Sequence, residues 1–351
     1  MSNISPDIGF LTSYIRGQYA KLISREEFEN LINKPYEAFI NEIKMFDIGE
    51  KLKDQLSYQS HEIERLLTSK LIDQYEFIIK NTPKWAKNFI EAYTTKFEVM
   101  NIQRLIRYLY SRAEIDLREV INLRAQEMLG RTSFIAKLLQ SDDLASLLEE
   151  LKKSEYRQEI EVAEQLYSRV GDIWPFEFAI ESFYLKKMLG EANKLKRNQK
   201  EGAIFFVKHE ILQNLLLVIL KADFVDVDIE EALNLLPLPD EFFYKNQIVR
   251  MMEIQDLQTD LKILKTLNLE KITNGIELYE KDKMFLHIEI GIKANELEAF
   301  TRSFHHDFGM LSILCYIKHF EIQIQDLTKL LYLKEYKFPI EKTRELIINL
   351  V

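Results

Sequence analysis

A chain of 351 residues with 47% hydrophobic side chains is long and apolar enough for two or three domains, which excludes the disordered class. Its net charge of −9 argues against a general nucleic-acid binder, and its single cysteine, Cys315, excludes an intramolecular disulfide and a cysteine zinc site. Ten glycines and seven prolines are too few for an architecture of many tight turns, so long helices are expected.

The first residues, MSNISPDIGFLTSYIRGQ, lack the basic segment and apolar core of a signal peptide. Ser24 and Glu27 form a capping box at the head of a helix, the serine oxygen taking an orphan amide and the glutamate reaching back. PYEAFINEIKMFDI follows, with Phe39, Ile43 and Phe46 at helical spacing. From His61 to Asn81, residues Ile63, Leu66, Leu67, Leu71, Tyr75 and Ile78 form one apolar stripe, and Pro83 separates this helix from the next.

Phe89–Arg107 reads as one long helix with two later echoes, beginning at Phe205 and Cys315. Superposing Glu98, Glu210 and Glu321 gives spacings of 112 and 111 residues. Eighteen residues beyond each glutamate stands a helix-start signal: Asp116, Asp228 and Pro339. A second segment, Ile43–Ile48, recurs as Leu151–Tyr156 and Leu264–Leu269 at offsets of 108 and 113. Two recurring segments with one outer period indicate an internal repeat of about 110 residues. Repeats over 1–84, 85–200 and 201–351 are expected, the last including a C-terminal helix pair, with the question open whether that end completes the first domain. Trp174–Pro175 marks a turn, and the polar run Glu191–Gly202 is the best linker candidate. Its lysines either solvate that linker or touch anionic lipid. Two prolines interrupt the helical pattern in Leu235–Phe243, and the last helices are expected around Asn295–Phe304, Leu311–Leu331 and Pro339–Leu350. No strand alternation persists, so the fold class is all-α. The longest apolar runs, such as Leu215–Leu220, fall short of the roughly 20 residues that span a bilayer, so no crossing is expected.

Catalytic signatures are missing. The chain has no Gly-x-Gly and no Gly-Lys-Ser/Thr. His61–Glu62 and His209–Glu210 begin like zinc-protease motifs, but Arg65 and Gln213 stand where the second histidine belongs. No histidine follows a glutamate by three residues, which removes the helical di-iron pattern. Asp142–Asp143 lacks a third aspartate, Ser146 standing in its place, so capping and solvation explain the pair. His305–His306–Asp307 fits a helix end and Cys315 a small buried hydrophobe. Glu98, Asn101, Arg104 and Arg107 are spaced by three and read as a structural network rather than a partner contact. No cofactor or metal is expected.

Three stretches resemble the C subunit of the archaeal A-type ATP synthase, a family homologous to the d subunit of the vacuolar ATPase. They are Tyr14–Leu52, Phe97–Leu109 with its acidic-x-x-Asn…Arg pattern, and Tyr316–Val351. Together they cover about a quarter of the chain, in the family's order. Glu98 stands where the family commonly has aspartate. Ile324 replaces the usual asparagine in the last copy, which argues against the same polar network there. The ending is closer to archaeal than to vacuolar members. The resemblance implies a funnel-like, all-α protein of three similar domains with pseudo-threefold symmetry. It implies no catalytic residue and a place in the central rotor, on the cytoplasmic face of the membrane. The expected partners are the proteolipid rotor ring and the central shaft subunits, with only peripheral membrane contact, no nucleic acid and no homo-oligomer. The competing readings are an α-helical repeat adaptor for soluble protein partners and, behind it, an all-α enzyme with an unrecognised site.

Overall fold

A computed structural model of the protein describes residues 6–54, 59–112, 121–225, 229–234, 236–239 and 241–351. Among them the regular elements are helices, without a strand, and the protein is all-α. In chain order they are α1 (Pro6–Tyr19), α2 (Arg25–Asn33), α3 (Tyr36–Ile43), a 3-10 turn (Asp47–Leu52), α4 (Ser60–Asn81), α5 (Lys84–Thr94) and α6 (Lys96–Ser111). Then come α7 (Leu123–Leu129), α8 (Thr132–Leu138), α9 (Leu144–Lys152), α10 (Arg157–Val170), α11 (Trp174–Asn193), α12 (Arg197–Val225) and α13 (Ile229–Leu233). The last are α14 (Lys245–Ile254), α15 (Leu257–Lys265), α16 (Glu270–Asp282), α17 (Leu286–His306), α18 (Met310–Glu335) and α19 (Ile340–Leu346).

Two compact units are formed, one from Met1–Pro83 with Leu264–Val351 and the other from Lys84–Ile263. The first unit is therefore built from both ends of the chain. Its central helix is α18, which packs on α1, α4 and α17. Residues on every side of α18 are buried, among them Leu314, Tyr316, Ile317, Phe320, Leu327 and Leu331, as expected for a helix surrounded by others. Ser24 and Glu27 make the reciprocal bonds of the capping box at α2, at 3.2 and 2.7 Å. In α4 the stripe Ile63, Leu67, Leu71, Tyr75 and Ile78 is buried, with Leu66 at its margin.

Within the same unit α16 and α17 form an antiparallel hairpin whose axes meet at glycines. A Cβ on Gly275 would lie 2.5 Å from the His287 carbonyl oxygen, and one on Gly291 would lie 2.6 Å from that of Lys271. Only hydrogen at both positions lets the two backbones approach this closely.

In the second unit α11 is central, touching α5, α6, α10 and α12. Trp174–Pro175 is the first turn of α11 and not an isolated turn: proline there forfeits only an amide that the helix leaves unbonded, and Asp172 accepts the Trp174 amide at 3.2 Å. The expected single helix Phe89–Arg107 is two helices meeting at Thr95. The hydroxyls of Thr94 and Thr95 both bond the Glu91 carbonyl, at 2.8 and 3.2 Å, competing with the helical ladder. The expected linker Glu191–Gly202 is helical except at residues 194–196. Asn193, Lys194 and Lys196 are exposed there, so the low periodicity reflects solvation between two helix ends. Within α12, Gln199–Asp223 is long and apolar enough to cross a bilayer, longer than its uninterrupted apolar runs indicate; 72% of its apolar window is buried in the protein, which accounts for its composition.

Candidate functional site

Glu98 lies in the first turn of α6, buried, with both carboxylate oxygens engaged. Arg131 donates its Nε to Oε2 at 2.6 Å and an Nη to Oε1 at 3.1 Å, and the Tyr156 hydroxyl donates to Oε1 at 2.8 Å. The same Arg131 Nη reaches Glu155 at 2.8 Å, and the guanidinium lies 4.4 Å from the Phe134 ring centroid. Burial, and after it the Glu98 charge, push the Tyr156 phenol well above its ordinary range, so it remains a donor.

One turn further, Asn101 grips the chain at Asn122. Its Nδ2 donates to the Asn122 carbonyl at 3.1 Å, and its Oδ1 accepts the Asn122 amide at 3.0 Å. Asn122 in turn caps α7 by accepting the Ala125 amide at 3.1 Å. The paired Asn101–Asn122 bonds and the cap on Ala125 thus fix the start of α7. Arg104, half-buried, continues the row, and Arg107 on the exposed face bonds Glu177 of α11.

Glu210 of α12 and Glu321 of α18 are likewise buried. Burial pushes the Glu321 carboxyl well above the carboxylate range, whereas Glu98 is held in an ion pair with Arg131. The clamp persists beside Ile324 all the same. Gln323 accepts the Ile23 amide at 3.0 Å and donates to the Ile23 carbonyl at 2.7 Å, directly before the cap of α2. Gln323 thereby does for α18 and α2 what Asn101 does for α6 and α7. Asp326, also buried, accepts the amides of Ile348 and Asn349 at 3.1 and 2.8 Å. Neither Gln323 nor Asp326 stands at the spacing of three from Glu321, so an aligned motif passes over them; nor does Arg131 or Tyr156 carry a local signal. Of the three helix-start signals, Asp116 and Asp228 lie outside the described residues, and Pro339 is the residue before α19.

The remaining candidates have structural roles. His305 and His306 end α17, and Asp307 accepts the Gly309 and Ser312 amides at 2.7 and 3.0 Å at the head of α18. Asp143 caps α9 in a box with Ser146, the residue that takes the place of a third aspartate. Cys315 is buried, and burial pushes its thiol up. Among the described residues no group of three or more His, Cys, Asp or Glu is placed to hold a metal ion.

Comparison with known proteins adds the context of the whole chain. The profile of the family "ATP synthase (C/AC39) subunit" matches residues 11–346. The chain is 25% identical to the C subunit of the A-type ATP synthase of Pyrococcus horikoshii, over 95% of this chain and 88% of that protein. It is 24% identical to the protein of the same name in Methanocaldococcus jannaschii, over 97% of this chain and 86% of that one.

Proposed function

The chain belongs to the ATP synthase (C/AC39) subunit family, whose members are structural and non-catalytic parts of the A-type ATP synthase, and from that premise we propose that it couples the rotor of the complex. In this reading it joins the central shaft to the proteolipid ring at the cytoplasmic face of the membrane and transmits torque for proton or sodium transport. The observation that carries the proposal is the near-complete length over which the family profile matches.

The packing described above supports it physically. A torque coupler must not yield, and close-packed helices have low compressibility. The Glu98 and Asn101 bonds of the second unit, and the Gln323 and Asp326 bonds of the first, tie helix ends together without exposed reactive groups. Large, lasting junctions with shaft and ring would be obligate in size. The segments 1–84, 85–200 and 201–351 are, on this proposal, copies of one helical unit, and Glu98, Glu210 and Glu321 mark its buried polar position. Solubilising native membranes in mild detergent and recovering the chain by a tag tests the placement. Proteolipid ring and shaft subunits should come with it; recovery of soluble proteins without ring protein would contradict it.

A further inference from the structure

In the second unit the C-terminal end of α6, the head of α9 and Tyr167 of α10 enclose a cleft of about 720 Å³. None of the clamps described above uses it. Its walls combine the rings of Tyr108, Tyr110 and Tyr167 with Asp142, Asp143 and Arg112. Two of the rings are held in place: the Tyr110 hydroxyl donates to the Gly171 carbonyl at 3.2 Å, and Tyr167 packs against Phe176 at 5.0 Å between centroids. Tyr110 is nevertheless 46% exposed, so its fixed ring stays open to an incoming group.

The charges of the cleft do not cancel. Asp143 is occupied with the amide of Ser146 at 2.8 Å, and those bonds hold its carboxyl below the usual range. The Arg112 guanidinium acts on that same carboxylate. Asp142 is exposed beside it, without a hydrogen bond or ion pair among the described residues. The cleft therefore offers aromatic faces and one uncompensated carboxylate. Cations with a flat or apolar body suit that combination, because the ring quadrupole attracts the charge while the carboxylate pairs with it. Arginine fits best: its guanidinium stacks on tyrosine and forks onto a carboxylate, whereas a lysine ammonium does only the first half well. The volume is enough for a side chain with its flanking backbone.

We propose that this tyrosine-lined acidic cleft is a socket for an arginine side chain projected by another protein of the complex. The partner's source rests on the coupling role proposed above; the chemistry of the socket rests on the cleft alone. A net charge of −9 on this chain would draw basic partner segments toward it before docking.

The test places a photo-crosslinking amino acid at the exposed rim position Ala145 of the tagged full-length chain. The assembled complex is irradiated in native membranes, and the attached peptide is sequenced. The expected product is a partner peptide containing arginine, with its yield lowered about tenfold by Asp142→Lys, the scale of one cation–π contact combined with one carboxylate pairing. Asp142→Asn should lower it less. Because Asp142 bonds nothing among the described residues, an unchanged melting curve for both variants separates loss of docking from loss of structure. Crosslinks to a peptide without a basic residue, no crosslink at all, or a yield indifferent to Asp142→Lys would each overturn the socket. Recovery of ring and shaft subunits with the wild-type chain is read in parallel. Their presence without the arginine crosslink would reject the socket alone, and their absence would reject the coupling role.

Discussion

Single residues decide where this protein keeps charge inside. Glu98 is buried but triply bonded, so removing its carboxylate leaves Arg131 and Tyr156 without their acceptor. Glu98→Ala is expected to lower stability by about 1–3 kcal/mol, the cost of stranding such donors, given that Arg131 is partly solvated. A denaturation midpoint no lower than that of a surface variant such as Lys194→Ala would contradict this. Asp260 is the opposite case. It is fully buried on α15 beside Asp223 of α12, and burial, with Asp223 next, pushes its carboxyl up to about 8. A raised folded value means that the contribution is intact below the unfolded value near 4 and is lost as pH rises toward 8. Asp260→Asn should therefore stabilise the protein far more at pH 8 than at pH 4, read as diverging melting temperatures; a constant offset across that range would refute the assignment.

Elements show how far local pattern carries. The capped start of α2 and the stripe of α4 were legible because capping chemistry and a 3.6-residue period are written in neighbouring residues. The break at Thr95 was not, since Thr94 and Thr95 leave the apolar period intact and act through hydroxyls on one carbonyl. Nor was the α16–α17 crossing. Gly275 and Gly291 are ordinary in sequence, and their role exists only where two backbones meet. Gly291→Ala is expected to cost about 1–3 kcal/mol, because the new methyl must displace the Lys271 carbonyl and not a flexible side chain. Thermal unfolding reads it, with Gly190→Ala, where nothing lies within 4 Å of the added carbon, as the control. Equal melting temperatures for the two would show that the hairpin relaxes freely.

At the scale of the molecule, the all-α class came through in the sequence, as did the family, carried by motifs at both ends and the middle of the chain. The composition of the first unit did not come through. Gln323 bonds Ile23 across 300 residues of sequence, and no local pattern announces such a partner. The polar clamp was half legible for the same reason: Glu98 and Asn101 stand at helical spacing, but Arg131, Tyr156 and Asn122 are supplied by later turns of the chain. Stiff units built in this way suit a part that transmits force and performs no chemistry. The most direct test of that role is ion pumping by membrane vesicles carrying the complex, with and without this chain. The account predicts that its removal leaves ATP hydrolysis by the catalytic head but abolishes ATP-driven ion uptake, and that adding the chain back restores it. Uptake at an undiminished rate in vesicles lacking the chain would contradict the coupling role.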